Sequence, residues 1–562
     1  MARNLLFALP LALASLYAQQ PASGPAALKQ ANTAFRTGYA AMQAGHLDQA
    51  RVDFARVVRL APQLPEGHMA LGAILVEMGK PGAAIAELNK ALKLRPGDPT
   101  IQQNLAKAHE ALAQTMVATN LNGAIAEMQQ AVAFDSGQAS LEDELGSLLA
   151  RARLWPQAGA TFRLALAASA PDANTAGIHM HLGVVLGAEE NLPEAESELM
   201  LAAQQAPDNA LIQYQLGSLL AREGRDDQAV PHLEAAVKPE SLTPSQAAPL
   251  GADLALAMSY QRLGRQAEAI PYFQKAVATD PKDPSSLNNL GLALTETGKA
   301  KEAVPYFQRA LAANPKDPIF HEDLGVAYIQ MSDFASAITQ FEQAKALDAG
   351  NPQLHYDLGL AYKLKDRMDD AISELKQAAA LDPTLPDPPY TLGILLMQLG
   401  QLGEAATALH AALDLRPNNG DGWAILGSVL RQLNRKDEAV VALRRAIELL
   451  PAQPGPRITL AAVLAEQGKH QEAAALRKEA ADLSRVAVNR QRASFSTNAG
   501  NQLLLRGQIA DAVGRFQEAI AADPTFAEAH RQLAVAYDRQ GRASDAAAER
   551  VKADALDPTA RP

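Results

Sequence analysis

The chain repeats itself every 34 residues, and that regularity restricts the fold more than any other property of the sequence. Segments beginning at Leu250, Pro284, Pro318, Pro352, Pro386, Gly420 and Pro454 follow one another without a gap over residues 250–487. A fixed period of this length describes a small module that cannot bury its apolar surface alone and must stack on its neighbours. The copy beginning at Pro318 shows what the module is. Leu324, Gly325 and Tyr328, at positions 7, 8 and 11, share one face of a first helix. Ala337, Phe341 and Ala344, at positions 20, 24 and 27, share the inner face of a second. Small residues at 8, 20 and 27 let the two helices approach, and larger ones at 7, 11 and 24 fill the space between copies. Composition agrees: 48% of residues are hydrophobic but only 5% aromatic, so Ala and Leu must supply the core, and both favour helix over strand.

Punctuation falls where this module needs it. Gly stands at position 15 in nine copies, Gly264, Gly298 and Gly400 among them, where the first helix is expected to end in a left-handed residue that only Gly adopts cheaply. Pro281, Pro315, Pro383, Pro417 and Pro451 stand at position 32, where a missing N–H stops the second helix. Extending the register outward adds copies at Ala31, Pro65, Pro99, Ala139, Ala176, Ala210, Ala493 and Ala527, fifteen in all. Position 20 is Ala in all fifteen, from Ala50 to Ala546; position 8 is Gly or Ala throughout, and position 27 is Ala except for Val57. Four copies carry extra residues, around Ala113 to Asn122, near Ala168 to Thr175, within Lys238 to Pro244, and after Arg485, where the second helix is expected to continue toward Arg492. Arg477 and Arg550 take the position-24 place of Phe or Leu, which predicts partial caps at those two copies.

Leu-Gly at positions 7 and 8, Tyr or Leu at 11, Ala at 20, Phe or Leu at 24, Ala at 27 and Pro at 32 resemble the tetratricopeptide repeat. The resemblance implies an all-α, right-handed superhelical solenoid of antiparallel helix pairs, whose concave face, lined by first helices, holds peptides or partner proteins. The expected organisation is a signal peptide over 1–18, a linker over 19–30, repeats 1–6 with insertions over 31–249, regular repeats 7–13 over 250–487, a hinge over 488–492 and repeats 14–15 over 493–562.

A formal charge of −11 with both signs interspersed disfavours attraction to nucleic acid phosphates, so no nucleic-acid partner is expected. The absence of cysteine excludes disulfides, thiolate zinc sites and thiol catalysis. Arg3 precedes an apolar run from Leu5 to Leu16, with small residues at Ala12 and Ala14 and a second cut possible after Ala18. This pattern is read as an export signal that places the chain in the periplasm or outside the cell. No later run approaches the roughly 20 apolar residues of a membrane span. No GxSxG, GxxxxGK[ST], HExxH or EF-hand pattern occurs, so no catalytic residue, metal or cofactor is expected. His179 and His181, two apart on a helix, face opposite sides and are read as solvated. Asp369-Asp370 and Glu189-Glu190 are read as exposed charges at helix ends, and the run Arg477, Lys478, Arg485, Arg490 and Arg492 as a solvated helix face.

The informative positions lie on the first helices. Family members that capture C-terminal carboxylates do so with Lys and Asn at positions 2, 5, 6 and 9, whereas here position 9 reads Met258, Leu292, Val326, Leu360 and Ile394 in five successive copies. Tyr356 and Tyr390 stand at position 5, and Asn289, Asp323 and Asp357 at position 6. These residues predict an apolar, aromatic groove with polar anchors that takes an extended or helical protein segment; the competing reading packs position 9 inward as core. The expected function is a non-enzymatic protein–protein interaction scaffold of the bacterial cell envelope. The alternatives are an adaptor in exopolysaccharide export or glycan-related assembly, suggested by similar arrays beside export barrels and in O-linked GlcNAc transferases, and an enzyme with a site on the repeats.

Overall fold

The computed structural model describes residues 24–238 and 251–558. Every regular element among them is an α-helix, from Pro25–Gln43 to Ala543–Leu556, and successive helices pair as hairpins. The chain divides into two bodies, Met1–Thr297 and Gly298–Pro562. The division falls inside the regular run of repeats, at the turn between the two helices of repeat 8. The expected signal peptide over 1–18 and the insertion within Lys238 to Pro244, beyond its first residue, lie outside the described residues.

Several first helices begin behind a side-chain cap. Asn351 accepts hydrogen bonds from the backbone N–H of Gln353 and Leu354, and Pro352 takes the first helical position, where no N–H is needed. Asp98 does the same for Thr100 and Ile101 ahead of the helix Pro99–Met116. These helices end as expected in a left-handed residue at position 15, but glycine is not required there. Arg153, Glu190, Ser332, Asp366 and Asn434 adopt φ between 58° and 63° at that position, alongside the nine glycines. The close packing of the two helices fixes the turn, and these five side chains accept the local strain. Repeat 3 is the exception: its first helix continues to Met116 and so absorbs the extra residues.

Inside each hairpin the period-34 letters are spatial contacts. The position-20 alanines, from Ala50 to Ala546, have no exposed surface in any repeat. Position 8 is small because position 24 leans on it. A Cβ on Gly325 would lie 2.5 Å from the Phe341 ring, on Gly146 2.6 Å from Phe162, and on Gly359 2.9 Å from the side chain of Leu375. The buried Phe or Leu thus sits directly on helix backbone, and each contributes about 2 kcal/mol through burial.

Polar groups join consecutive repeats as well. His355, at position 4, presents its two ring nitrogens to two acceptors: Glu374 Oε2 at 2.5 Å on the paired second helix and the carbonyl of Ala349 at 3.1 Å in the turn before. His68 meets Glu87 and the Pro62 carbonyl in the same way, and His530 meets Glu549 and the Pro524 carbonyl. Repeat 12 keeps the inter-repeat half of this arrangement with Trp423, whose Nε1–H donates to the Pro417 carbonyl at 2.9 Å.

Three expectations need correction or sharpening. Residues 25–30 are not linker, because the first helix begins at Pro25, with Gly24 before it and Pro25 at its first position. The second helix of repeat 13 does run past Arg485, and it continues without a break from His470 to Leu505, becoming the first helix of repeat 14. The segment 488–492 expected as a hinge is therefore mid-helix. Arg477 and Arg550 are exposed, in keeping with polar ends to the stacks they close.

Candidate functional site

All ten residues singled out on the first helices are half-buried, neither free in solvent nor part of the sealed core. In the first body, Met258 lies on the helix Ala252–Arg262, and Asn289 and Leu292 on Pro284–Glu296. In the second body, Asp323 and Val326 lie on Pro318–Gln330, Tyr356, Asp357 and Leu360 on Pro352–Leu364, and Tyr390 and Ile394 on Asp387–Gln398. Their neighbours at position 7, Leu324, Leu358 and Leu392, are buried and fill the interior. Position 9 rests on the core with one side open. Val326, Tyr356 and Tyr390 pack against the buried cluster that runs from Ala337 to Ala473.

Adjacent first helices meet through positions 5 and 6. The Tyr356 hydroxyl (position 5 of repeat 10) lies 3.4 Å from the Thr391 hydroxyl (position 6 of repeat 11). Glu322 and Asp357 stand in the same relation one repeat earlier, so there a carboxyl faces a carboxyl. Burial, reinforced by Asp357, Asp323 and Asp348 nearby, pushes the Glu322 carboxyl up to about 7, against the pull of the Asn351 amide donating to it at 3.2 Å. Burial also pushes Asp357 up to about 6, and the Gln353 amide at 3.1 Å opposes it. The face around Val326 and Leu360 is therefore acidic as well as apolar, which repels a C-terminal carboxylate.

Glu322 did not stand out in the sequence. Its signal is the 35-residue offset to Asp357, one repeat plus one residue, which brings positions 5 and 6 of neighbouring repeats together. The histidine pair also differs from expectation. His179 and His181 do point apart, but neither is merely solvated: His179 Nδ1 is 2.6 Å from Glu198 on its own hairpin, and His181 Nδ1 is 2.8 Å from Asp143 of the preceding repeat. Helix geometry gives the direction of a ring but not the carboxylates that neighbouring helices bring to it. Asp369 and Asp370 occupy the first turn of the helix Met368–Leu381, and Glu190 is one of the left-handed turn residues. Among the described residues no three His, Asp or Glu side chains gather as a metal site, and no helix is long and apolar enough to cross a membrane.

Hairpins stacked edge to edge, with one face of half-buried side chains, define the class as an α-helical repeat protein. Models described as "Tetratricopeptide repeat" match residues 35–99, 254–318 and 390–454, residues 294–361 and residues 352–385, and one described as "TPR repeat" matches residues 500–541. Together these matches span more than half of the chain, which belongs to the tetratricopeptide repeat family. No curated protein matches the sequence. Among solved structures, the chain is similar to YrrB, described as a TPR protein with an unusual peptide-binding site, at 21% identity over 33% of this chain and 95% of that one, with a TM-score of 0.30. It is similar to MamA from Desulfovibrio magneticus RS-1 at 22% identity over 30% of this chain and 94% of that one, with a TM-score of 0.28. Yeast Tom70 aligns at 15% identity over 75% of this chain and 92% of that one, with a TM-score of 0.29. At these TM-scores the likenesses carry no argument about partner or site.

Proposed function

We propose that this chain is a non-enzymatic interaction scaffold that docks a segment of a partner protein along the first-helix face of its repeats, and that it does so after export to the cell envelope. The observation that carries the docking reading is the half-burial of Val326, Leu360, Ile394, Tyr356 and Tyr390 in successive repeats. Such side chains are rigidly held by the core beneath them and still have apolar surface to cover, which is what a groove offers an extended or helical segment. The first body presents Met258, Leu292 and Asn289 in the same half-buried state. The family supports a binding role, and no enzyme family is among the matching models. Export rests on the apolar run Leu5 to Leu16 behind Arg3.

The test is a crosslinking capture from the envelope fraction with the mature chain and the Leu360→Glu, Ile394→Glu variant in parallel. Loss of a partner by the variant at unchanged thermal stability is expected. A collapse in stability would mean that position 9 is core, equal capture by both proteins would move the binding surface elsewhere, and absence of the chain from the envelope would overturn the export reading.

A further inference from the structure

We propose that the segment docked on repeats 9–11 carries lysine or arginine between apolar side chains, with its cation seated against Glu322 and Asp357. The inference rests on the docking reading above and adds the chemical class of the occupant.

Several enclosed carboxylates of this fold are held by a cation of the chain itself. Glu374 lies 2.8 Å from Lys345 and 2.5 Å from His355. Glu196 is held by Arg225 at 2.8 Å, Asp226 by Arg262 at 2.6 Å and Asp523 by Arg490 at 3.2 Å. The neighbouring guanidinium keeps Glu196 and Asp226 below their ordinary range, and Thr525 together with Arg490 does so for Asp523. Glu110, Glu142 and Glu296 are instead pushed up by burial, and Glu322 and Asp357 are the two pushed furthest. Their hydrogen-bond partners are the neutral amides of Asn351 and Gln353, and burial moves both in the opposite direction. A half-buried pair of carboxyls without a cation is costly once ionised, and an arriving ammonium or guanidinium removes that cost.

The surroundings fit a polypeptide carrying such a cation. Val326 and Leu360 follow Asp323 and Asp357 three residues further along their helices, so apolar surface flanks the acidic pair. Ile319, at position 2 of repeat 9, is 58% exposed, and Leu364, at the far end of the next first helix, is 51% exposed. Tyr356, adjacent in sequence to Asp357, and Tyr390, at the same position of the next repeat, add half-buried rings to this face, surfaces on which a cation's stem or guanidinium plane can rest. A segment that places Lys or Arg among Leu, Ile or Val complements both features at once. A nucleic acid is repelled by the carboxylates, and a purely apolar segment leaves them uncovered.

Proton linkage gives the proposal a direction in pH. With Glu322 raised to about 7 and Asp357 to about 6, the pair is largely protonated at pH 5 and ionised at pH 8. A cationic segment therefore binds more tightly as pH rises across this window and releases protons from the pair as it binds.

The test uses the full chain and three labelled synthetic peptides of about 14 residues that share a Leu and Val pattern and differ only in carrying Lys, Gln or Glu between them. Fluorescence anisotropy is expected to show the Lys peptide bound at least about tenfold more tightly than the Gln peptide, no binding of the Glu peptide, and a several-fold gain for the Lys peptide between pH 5 and pH 8. Glu322→Gln with Asp357→Asn should cost the Lys peptide about tenfold and the Gln peptide little. These changes relieve repulsion, so the variant should remain folded. Glu404→Gln with Glu438→Gln makes the same charge change on exposed second helices and should leave affinity unaltered. Equal binding of Lys and Gln peptides, binding of none, or an equal loss in the second-helix variant would overturn the charge assignment. The Leu360→Glu, Ile394→Glu variant separates this from the docking reading: if the Lys and Gln peptides bind equally and both are lost in it, the groove stands without charge selection. If the peptides bind and no variant changes their affinity, both readings fail.

Discussion

In repeats 10 to 12 the position-24 side chains Leu375, Leu409 and Leu443 have no exposed surface, whereas Arg477 at the same position of repeat 13 lies in solvent. The consequence extends beyond one residue. A single buried apolar cluster runs from Ala337 to Ala473, and a separate one runs from Leu504 to Ala546; what joins them is the long helix His470–Leu505. Over that bridge Val486, Val488 and Phe495 are 60%, 63% and 76% exposed. Repeat 13 also has Arg485 where most other repeats place the helix-stopping Pro. The same module thus makes two kinds of junction. With Leu or Phe at position 24 and a break after the second helix, hairpins dock through side chains; with Arg there and no break, the backbone helix itself is the connection.

If position 24 decides between the two junctions, truncating it should matter in one place and not in the other. Leu375→Ala is expected to cost about 3 kcal/mol, since it removes a fully enclosed side chain seated on Gly359, while Arg477→Ala should change stability by less than about 0.5 kcal/mol. Denaturant unfolding, with amide exchange resolved by helix, measures both. Comparable losses at the two sites would break the distinction, because Arg477 would then be contributing packing through its aliphatic stem.

The opposing position sharpens the same comparison at smaller cost. Gly325→Ala should lose about 1 kcal/mol, because the new Cβ would stand 2.5 Å from the Phe341 ring and force it to shift, a cost that the better helix propensity of Ala partly offsets. In repeat 13 position 8 is already Ala461, and Ala461→Gly should cost about 1–2 kcal/mol, the helix-propensity difference plus the loss of a buried methyl. Thermal unfolding of the pair of variants decides it. A Gly325→Ala variant as stable as the parent would show that the ring has room to move.

How much of this could be seen in the letters depends on the distance over which each interaction acts. The small residues at positions 8 and 20 were legible because hairpin contacts recur fifteen times and leave the same letters in register, whereas position 24, expected to fill the space between copies, leans on position 8 of its own hairpin. The face carrying Leu360 and Ile394 was legible too, because apolar residues recur at one position. His355 with Glu374 and the Ala349 carbonyl was not, since it joins a helix, its partner and the preceding turn, and the same place is taken by Trp423 in repeat 12. Glu322 was hidden for a related reason: a lone glutamate on a helix looks solvated until the 35-residue offset sets it against Asp357. The histidine contact left a partial trace, since His recurs at position 4 as His68, His179, His321, His355 and His530, but Glu322 and Asp357 form a pairing that no other repeat announces.

The turn between the two helices carries the last and smallest contrast. Position 15 is left-handed in repeat 9 at Ser332, φ 59°, and in repeat 13 at Gly468, φ 80°, so the turn is alike in the packed and the bridged parts of the chain. A residue with a Cβ pays a steric penalty in that conformation which glycine avoids, partly offset by the extra freedom glycine brings to the unfolded chain. Ser332→Gly is therefore expected to gain about 0.5–1 kcal/mol and Gly468→Ala to lose about 1 kcal/mol. Thermal unfolding of each variant gives the sign. If Ser332→Gly destabilises instead, the turn in the packed repeats draws support from the serine side chain, and the equivalence of the two turns fails. If both changes behave as expected, the hairpin turn is set by the module alone, and the difference between docked and bridged junctions traces to position 24 and to where the second helix ends.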